Sequence, residues 1–253
     1  MQNAADTAIP TNTTLTELSG RKSVRAYEKQ EISSAEKQAI LYAAVSAPTA
    51  GNQQLYTILD ISNQAIKNRL ADTCDHQPFI AKASMVLIFV ADCQKWYDAF
   101  AYGGCLPRKP GAGDLFLAVT DAAIAAQNAV VAAQSLGIGS CYIGDIMESC
   151  EEHRALLQLP EYAVPVVMLV LGYPTQQQQT RPKPERCDMR YIVHENGYQR
   201  MDASALQDML RYKAGERPYE EWLAAFCARK YQSAFSREMT RSMEKYLAAF
   251  REE

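Results

Sequence analysis

The sequence predicts an α/β or α+β protein of one main domain with a helical C-terminal extension. Three observations carry this. Two runs, Ser84 to Ala91 (SMVLIFVA) and Val164 to Gly172 (VPVVMLVLG), are nearly all apolar and rich in β-formers, as in strands covered on both faces. The stretch from Asp114 to Leu136 has the composition of a long helix. After Tyr191-Ile192-Val193 the chain turns polar and helical to its end. At 253 residues, 48% hydrophobic and 22% charged, the chain is long enough for one main core plus an extension.

Residues 1–13 form a polar, flexible lead. Leu15 to Leu18 is a short helix stopped at Gly20, and the basic segment Arg21-Lys22-Ser23-Val24-Arg25 follows. Ser33 and Glu36 make a capping box, and Ala39, Ile40, Ala43, Ala44 and Ala47 continue at helical spacing until Pro48 ends the helix. Leu55 to Ile61 reads as a strand, with Leu55, Thr57, Leu59 and Ile61 on one face. Ser62 to Cys74 reads as a helix capped by Ser62. A short helix covers Gln94 to Phe100, and the Gly- and Pro-rich stretch Gly103 to Gly113 is a loop. The helix from Asp114 closes at Gly137. Its alanines cover nearly every face, so it is a core helix or a subunit interface. Ser140 to Ile143 is a short strand, Pro174 to Asp188 a loop, and Asp202, Pro218 and Ser236 start helices. The main domain spans residues 14–200 and the helical extension 201–253.

Several function classes are excluded. The net charge of −3, from 26 basic and 29 acidic residues, offers no field for nucleic acid or an acidic membrane. The best apolar run, Val164 to Leu171, is far shorter than the roughly 20 residues of a membrane span. Met1 to Pro10 lacks the features of a secretory signal. The seven cysteines are odd in number and irregularly spaced, with no C-x-x-C. They read as thiols packed as small apolar groups in a reducing, cytoplasmic compartment. His76, His153 and His194 show no metal-ligand spacing, and Ser140 is not in a G-x-S-x-G turn.

Four segments combine unusual residues with loop positions. In Arg21-Lys22-Ser23-Val24-Arg25-Ala26-Tyr27, an extended backbone puts Arg21, Ser23 and Arg25 on one side, as in a phosphate or carboxylate clamp. A solvated basic turn is the plainer reading. Ala47-Pro48-Thr49-Ala50-Gly51-Asn52-Gln53-Gln54 offers amides and hydroxyls suited to a heterocycle edge, or is a simple connection. Gly137, Gly139 and Gly144 in GIGSCYIGD allow backbone to approach a planar ligand, or cap a helix before a tight turn. Arg181-Pro182-Lys183-Pro184-Glu185-Arg186 projects three cations from a stiff loop, or is a solvated linker. These segments supply clamps and amides but no nucleophile or acid–base dyad, a pattern that suits a bound cofactor carrying the reaction.

From about Leu15 to Tyr198, the ordered set RKSVRAY, APTAGNQQ, HQPFIAKAS, DAAIAAQNAVVAAQSLGIGSCYIGDI and VVMLVLGYP followed by RPKPERCD resembles the nitroreductase family of FMN-dependent oxidoreductases. The resemblance is closest to its NADPH-oxidising, flavin-reductase-like branch. It implies a nitroreductase-like α+β fold, a central mixed or antiparallel sheet flanked by helices, with tightly bound FMN in the domain of residues 14–200 and NAD(P)H as co-substrate. By this resemblance Arg21 and Ser23 contact the FMN phosphate, with Lys22 beside them, and Arg25 lies near the N1–C2=O side of the ring. Pro48, Thr49 and Asn52 contact ribityl and ring, and Gln77 bonds the pyrimidine edge. Tyr142, Ile143 and Gly144 line the ring, and Lys183 and Arg186 form the second arm of the phosphate clamp. The resemblance further implies a homodimer with FMN at the subunit interface, with the extension wrapping the partner or covering the pocket.

The implied activity is a ping-pong transfer from NAD(P)H to a small aromatic or quinone acceptor: nitroaromatics, quinones or free flavin. No side chain need be catalytic, since the flavin carries the hydride. The basic loop Leu106-Pro107-Arg108-Lys109 has the charge to meet a 2′-phosphate. The contending readings are a flavoenzyme of the same fold with other chemistry, such as reductive dehalogenation, a non-catalytic FMN-binding protein, and a phosphometabolite-binding module.

Overall fold

The computed structural model describes residues 10–251, so most of the expected N-terminal lead lies outside the described residues. The chain forms two compact units. One comprises residues 10–183 and 242–251, the other Pro184–Arg241. The division therefore falls at 183/184 and 241/242, where composition alone suggests 200/201.

In the first unit, α1 (Thr13–Gly20) is capped by Asn12 and α2 (Ser34–Val45) by the Ser33/Glu36 capping box. Strand β1 (Tyr56–Asp60) leads to α3 (Gln64–Thr73), whose cap is Asn63 rather than Ser62: its side chain accepts from the Ala65 and Ile66 N–H groups. A five-residue helix that the sequence did not announce, α4 (Pro78–Lys82), precedes β2 (Met85–Asp92) and α5 (Gln94–Tyr102). The long α6 (Ala112–Ser135) begins two residues before Asp114, whose carboxylate accepts from the Gly111 N–H at 2.8 Å. Strand β3 (Gly139–Ile143), helix α7 (Cys150–Leu156), strand β4 (Ala163–Gly172) and the short α8 (Gln176–Thr180) follow. The expected loop 174–188 thus contains a helix.

The strands form one antiparallel sheet of order β1-β2-β4-β3. Pro165 sits in the central strand β4, a position that normally needs an N–H for the ladder. It is accommodated because the β2–β4 register shifts there: Phe89 pairs with Val167 and Val90 with Pro165, leaving Val166 as a bulge in β4 beside the proline. One sheet face (Leu87, Phe89, Leu169, Leu171) packs on Ala122, Ala125, Ala126, Ala129 and Ala133 of α6 and on Ile40 and Ala44 of α2. The alanines bring the α6 backbone close to both sheet and α2. The other face (Val86, Ile88, Met168, Val170) packs on Leu70, Ala71, Cys74 and Ile80. Helix α6 is long and apolar enough to cross a membrane by length and composition, a span the sequence reading did not single out. Its buried residues line this core.

Residues 242–251 also pack in the first unit. Tyr246 and Phe250 lie with Leu55, Leu115 and Tyr162 in a third apolar cluster, and Ser242 Oγ accepts from the Cys150 N–H at 3.0 Å. The end of the extension thus returns to its own core. The second unit holds α9 (Ala203–Ala214), capped by Asp202, α10 (Tyr219–Tyr231), which follows Pro218, and the start of α11 (Ala234–Ala248). This last helix starts two residues before Ser236, with the Ser233 hydroxyl accepting from the Ser236 N–H. Ala214, Tyr219 and Trp222 form the second unit's small core.

Candidate functional site: a basic strap, an amide loop and the end of β3

Residues 22–28 form an extended strap. The Val24 N–H donates to Ser140 O at 2.9 Å and the Glu28 N–H to Tyr173 O at 2.8 Å. Ser23 bridges Ser140 in parallel, and Tyr27 bridges Pro174 antiparallel. Two glycines admit the strap. A Cβ at Gly139 would lie 2.6 Å from Val24 Cγ2, and one at Gly172 would lie 2.7 Å from the Tyr27 ring. Gly139 therefore serves close packing of the chain on itself, where the sequence suggested approach of a ligand. The Tyr27 hydroxyl donates to Val24 O at 2.8 Å, and burial pushes its pKa far above the usual tyrosine value.

The segment after β4 locks onto the strap. Lys22 Nζ donates to Gln179 O at 2.8 Å and to Arg181 O; Arg181 Nη2 donates to Ser23 O at 2.6 Å; Lys183 Nζ donates to Ser19 O at 2.5 Å. Helix α8 delivers Arg181 to this position. The Arg21 guanidinium lies 5.4 Å from the Tyr142 ring centroid, and the Tyr142 hydroxyl donates to Gln127 Oε1 at 2.9 Å. Burial pushes the Tyr142 pKa up to about 12, with Arg21 opposing. Burial likewise raises the Cys141 thiol, against the pull of Arg25, the Ser23 hydroxyl and Arg21.

The structure thus brings together Arg21, Lys22, Ser23, Arg25, Tyr142 and Lys183, and adds Arg181. Among the described residues, no carboxylate lies within salt-bridge distance of Arg21, Lys22, Arg25, Arg181 or Lys183. Arg21 Nε and Nη2, Arg181 Nε and Thr175 Oγ1 are buried without a hydrogen-bond partner. Buried donors of this kind are costly unless something accepts from them.

The amide loop holding Pro48, Thr49 and Asn52 is a separate feature of the single chain: no hydrogen bond among the described residues joins it to the strap. Gly51, Asn52 and Gln54 have φ of 56°, 55° and 51°, a left-handed path that glycine adopts freely and asparagine tolerates. Thr49 Oγ1 accepts from the Gln54 N–H at 3.0 Å. The loop is held from beneath by Asp121, which accepts from the Ala50 N–H at 2.9 Å and the Leu55 N–H at 3.2 Å. Asp121 is 3% exposed on α6. Sequence reasoning passed over it, although a lone carboxylate among the alanines of a buried helix was a readable signal. Trp96 Nε1 also donates to Gln53 O, at 2.7 Å.

Gln77 precedes α4 and is tied to the end of β3. Its Nε2 donates to Cys74 O at 2.9 Å and to Asp145 Oδ2 at 3.0 Å, next to Ile143 and Gly144. A cleft of about 330 Å³ lined by Gln53, Trp96, Phe100, Asp114 and Leu117 opens beside the amide loop. Arg108, expected to offer charge from the 106–109 loop, donates to both carboxylate oxygens of Asp114, at 2.6 and 3.0 Å.

Arg186 belongs to the second unit, where its Nη1 donates to Pro184 O at 3.3 Å and Glu185 O at 3.4 Å. There it lines a cleft with Lys213, Arg217 and Arg229, walled by Trp222 and Phe226. Lys213 Nζ and Arg229 Cζ lie 5.7 and 5.3 Å from the Phe226 ring centroid. The sequence reading did not single out these three cations, because they are spread over two helices and the turn between them.

Residues 18–173 match the Nitroreductase family. The chain is 33% identical over 190 residues to an oxygen-insensitive NADPH nitroreductase of Salmonella typhimurium, covering 75% of this chain and 76% of that protein. It is 29% identical over 189 residues to an FMN reductase (NADPH) of Bacillus subtilis, covering 74% and 75%. The solved structure of NfrA2 of B. megaterium superposes with a TM-score of 0.79 at 28% identity, covering 93% of this chain and 98% of that one. The chain belongs to the nitroreductase family and is an oxidoreductase of its NAD(P)H-dependent nitroreductase and FMN reductase type.

Proposed function

We propose that the protein binds FMN and works as a cytoplasmic homodimer, reducing nitroaromatics, quinones or flavins at the expense of NAD(P)H in a ping-pong cycle. One observation carries the reading: the strap and the segment after α8 gather five cations with no carboxylate partner among the described residues, and some of their donors are buried and unpartnered. A phosphate monoester fits this donor set, since guanidinium forks give charge-assisted, often bidentate bonds to it.

When bound, FMN supplies the redox chemistry, accepting a hydride from the nicotinamide and passing electrons to the acceptor. The chain binds and orients it. Arg21 and Arg181 hold the phosphate, while Lys22 and Lys183, committed to backbone carbonyls, fix the two segments of the clamp together. Arg25 places positive charge beside the ring, favouring electron density there without reorganisation. Tyr142, Ile143 and Gly144 form a wall along one side, and the Pro48–Asn52 loop contributes its amide and hydroxyl groups.

The homodimer reading is supported by exposed apolar side chains on two helices, Tyr42 and Val45 of α2 and Phe116 and Leu117 of α6. The cytoplasmic reading is supported by seven free cysteines, with Cys105 and Cys227 exposed. The test is an absorption spectrum of the purified protein before and after anaerobic NADPH, then NADH. A yellow protein bleached by NADPH is expected. A protein that stays colourless after FMN is added refutes the reading.

A further inference from the structure

The hydrogen bonds of Gln77 assign it a fixed orientation. A glutamine amide offers two N–H donors and one carbonyl acceptor, and its terminal torsion is soft enough to present either end. Here Nε2 is spent twice, on Cys74 O at 2.9 Å and on Asp145 Oδ2 at 3.0 Å. Among the described residues no hydrogen bond ends on Oε1, and it is not among the buried unpartnered atoms. Gln77 therefore shows a ligand an acceptor and nothing else. Cys74 O is a backbone carbonyl of the same turn; it accepts and cannot donate, so it biases the amide in the same sense with the weaker pull of a neutral acceptor. Asp145 adds the stronger partner: its carboxylate oxygen also accepts and cannot donate, and its charge repels the flipped amide, whose Oε1 would face it, more strongly than a carbonyl does.

We propose that Asp145 is a positioning residue that locks Gln77 with its carbonyl outward, so that the site recognises the N3–H of the FMN pyrimidine edge. The proposal rests on the reading above, that FMN binds along the end of β3. The chemistry is selective. The dioxopyrimidine edge carries two carbonyl acceptors and one donor, the N3–H, and only that donor satisfies a locked acceptor. Without Asp145 the amide can turn, and Nε2 can donate to either flavin carbonyl instead. The sequence reading singled out Gln77 but gave Asp145 no role.

The experiment compares binding of FMN and N3-methyl-FMN, which lacks the donor, to the wild-type protein and to Asp145→Asn, Asp145→Ala and Gln77→Ala. It also records the N3–H proton shift of bound, N3-15N-labelled FMN. In the wild type, FMN binds about tenfold or more tightly than its N3-methyl analogue, the scale of one well-made hydrogen bond left unpaired in the analogue complex, and the N3 proton is shifted downfield. Asp145→Asn, whose Oδ1 still accepts from Gln77, keeps both. Asp145→Ala lowers the discrimination toward the value of Gln77→Ala, the control for the added methyl group, and moves the proton upfield. A merely structural role for Asp145 would leave the proton shift in place. If Asp145→Ala binds FMN with unchanged discrimination and shift, or if Asp145→Asn behaves as Asp145→Ala, the positioning role is overturned while FMN binding stands. If the wild type binds no FMN, it is the cofactor reading that falls.

Discussion

Asp121→Ala should loosen the amide loop and lower stability together. The carboxylate is buried on α6 and accepts from two backbone donors, the Ala50 and Leu55 N–H groups. Hydrogen bonds to a charged acceptor contribute about 1.5–3 kcal/mol each, and removing the acceptor leaves both donors to find new partners. Because the two share one acceptor, their losses do not add fully, and a cost of about 3–5 kcal/mol is expected. For a chain of this size that lowers Tm by roughly 6–20 °C. Asp121→Asn keeps one accepting oxygen but turns an amide N–H group toward the other donor, so it should fall between wild type and alanine. The assay is thermal unfolding followed by far-UV circular dichroism at pH 7, with FMN affinity measured below the transition. Asp121→Ala unfolding within about 0.5 kcal/mol of wild type, inside the spread of ordinary surface changes, would refute the reasoning.

Three further outcomes follow from the same geometry. Gly139→Ala puts a methyl group 2.6 Å from Val24 Cγ2, so the strap must shift: about 1–3 kcal/mol of stability is lost and FMN affinity falls, as unfolding and fluorescence titrations would show. Arg21→Ala and Arg181→Ala each weaken FMN binding about 10–100-fold in equilibrium titration, and each flattens its salt dependence, since a charge-assisted contact is removed. His153, held by Ile146 O at 2.9 Å and Thr73 Oγ1 at 2.8 Å, has its pKa lowered by burial. The unfolded chain then takes up the proton first, so this contribution is intact above the unfolded histidine pKa and is lost as pH falls below it toward the folded value. Denaturant unfolding of wild type and His153→Gln from pH 8 to pH 5 should show a shallower decline in the variant.

What was legible in the sequence was what local pattern encodes. The Ser33/Glu36 box, the two apolar strands and the alanine helix were read where they stand, because capping chemistry and periodicity are local. Helices α4, α7 and α8 were missed because five to seven residues are too few to show a period. The start of α3 was misplaced by one residue, since Ser62 and Asn63 are both good caps and only the Asn63 side chain reaches the free N–H groups. The clamp was legible as charge in two segments. Its closing contact, Arg181 on Ser23, depends on α8 and on two glycines that let the strap lie flat, which are tertiary facts. The return of the C-terminus had a readable trace: Met243, Tyr246, Leu247 and Phe250 recur at helical spacing and all join the third cluster.

The most direct test of the central claim compares FMN with riboflavin, which has the same ring system and no phosphate, in equilibrium binding to the wild-type protein. The clamp predicts that FMN binds at least about 100-fold more tightly, the value of two charge-assisted hydrogen bonds, and that the gap narrows in Arg21→Ala and Arg181→Ala. Equal affinity for the two flavins, or a gap untouched by both substitutions, would contradict it.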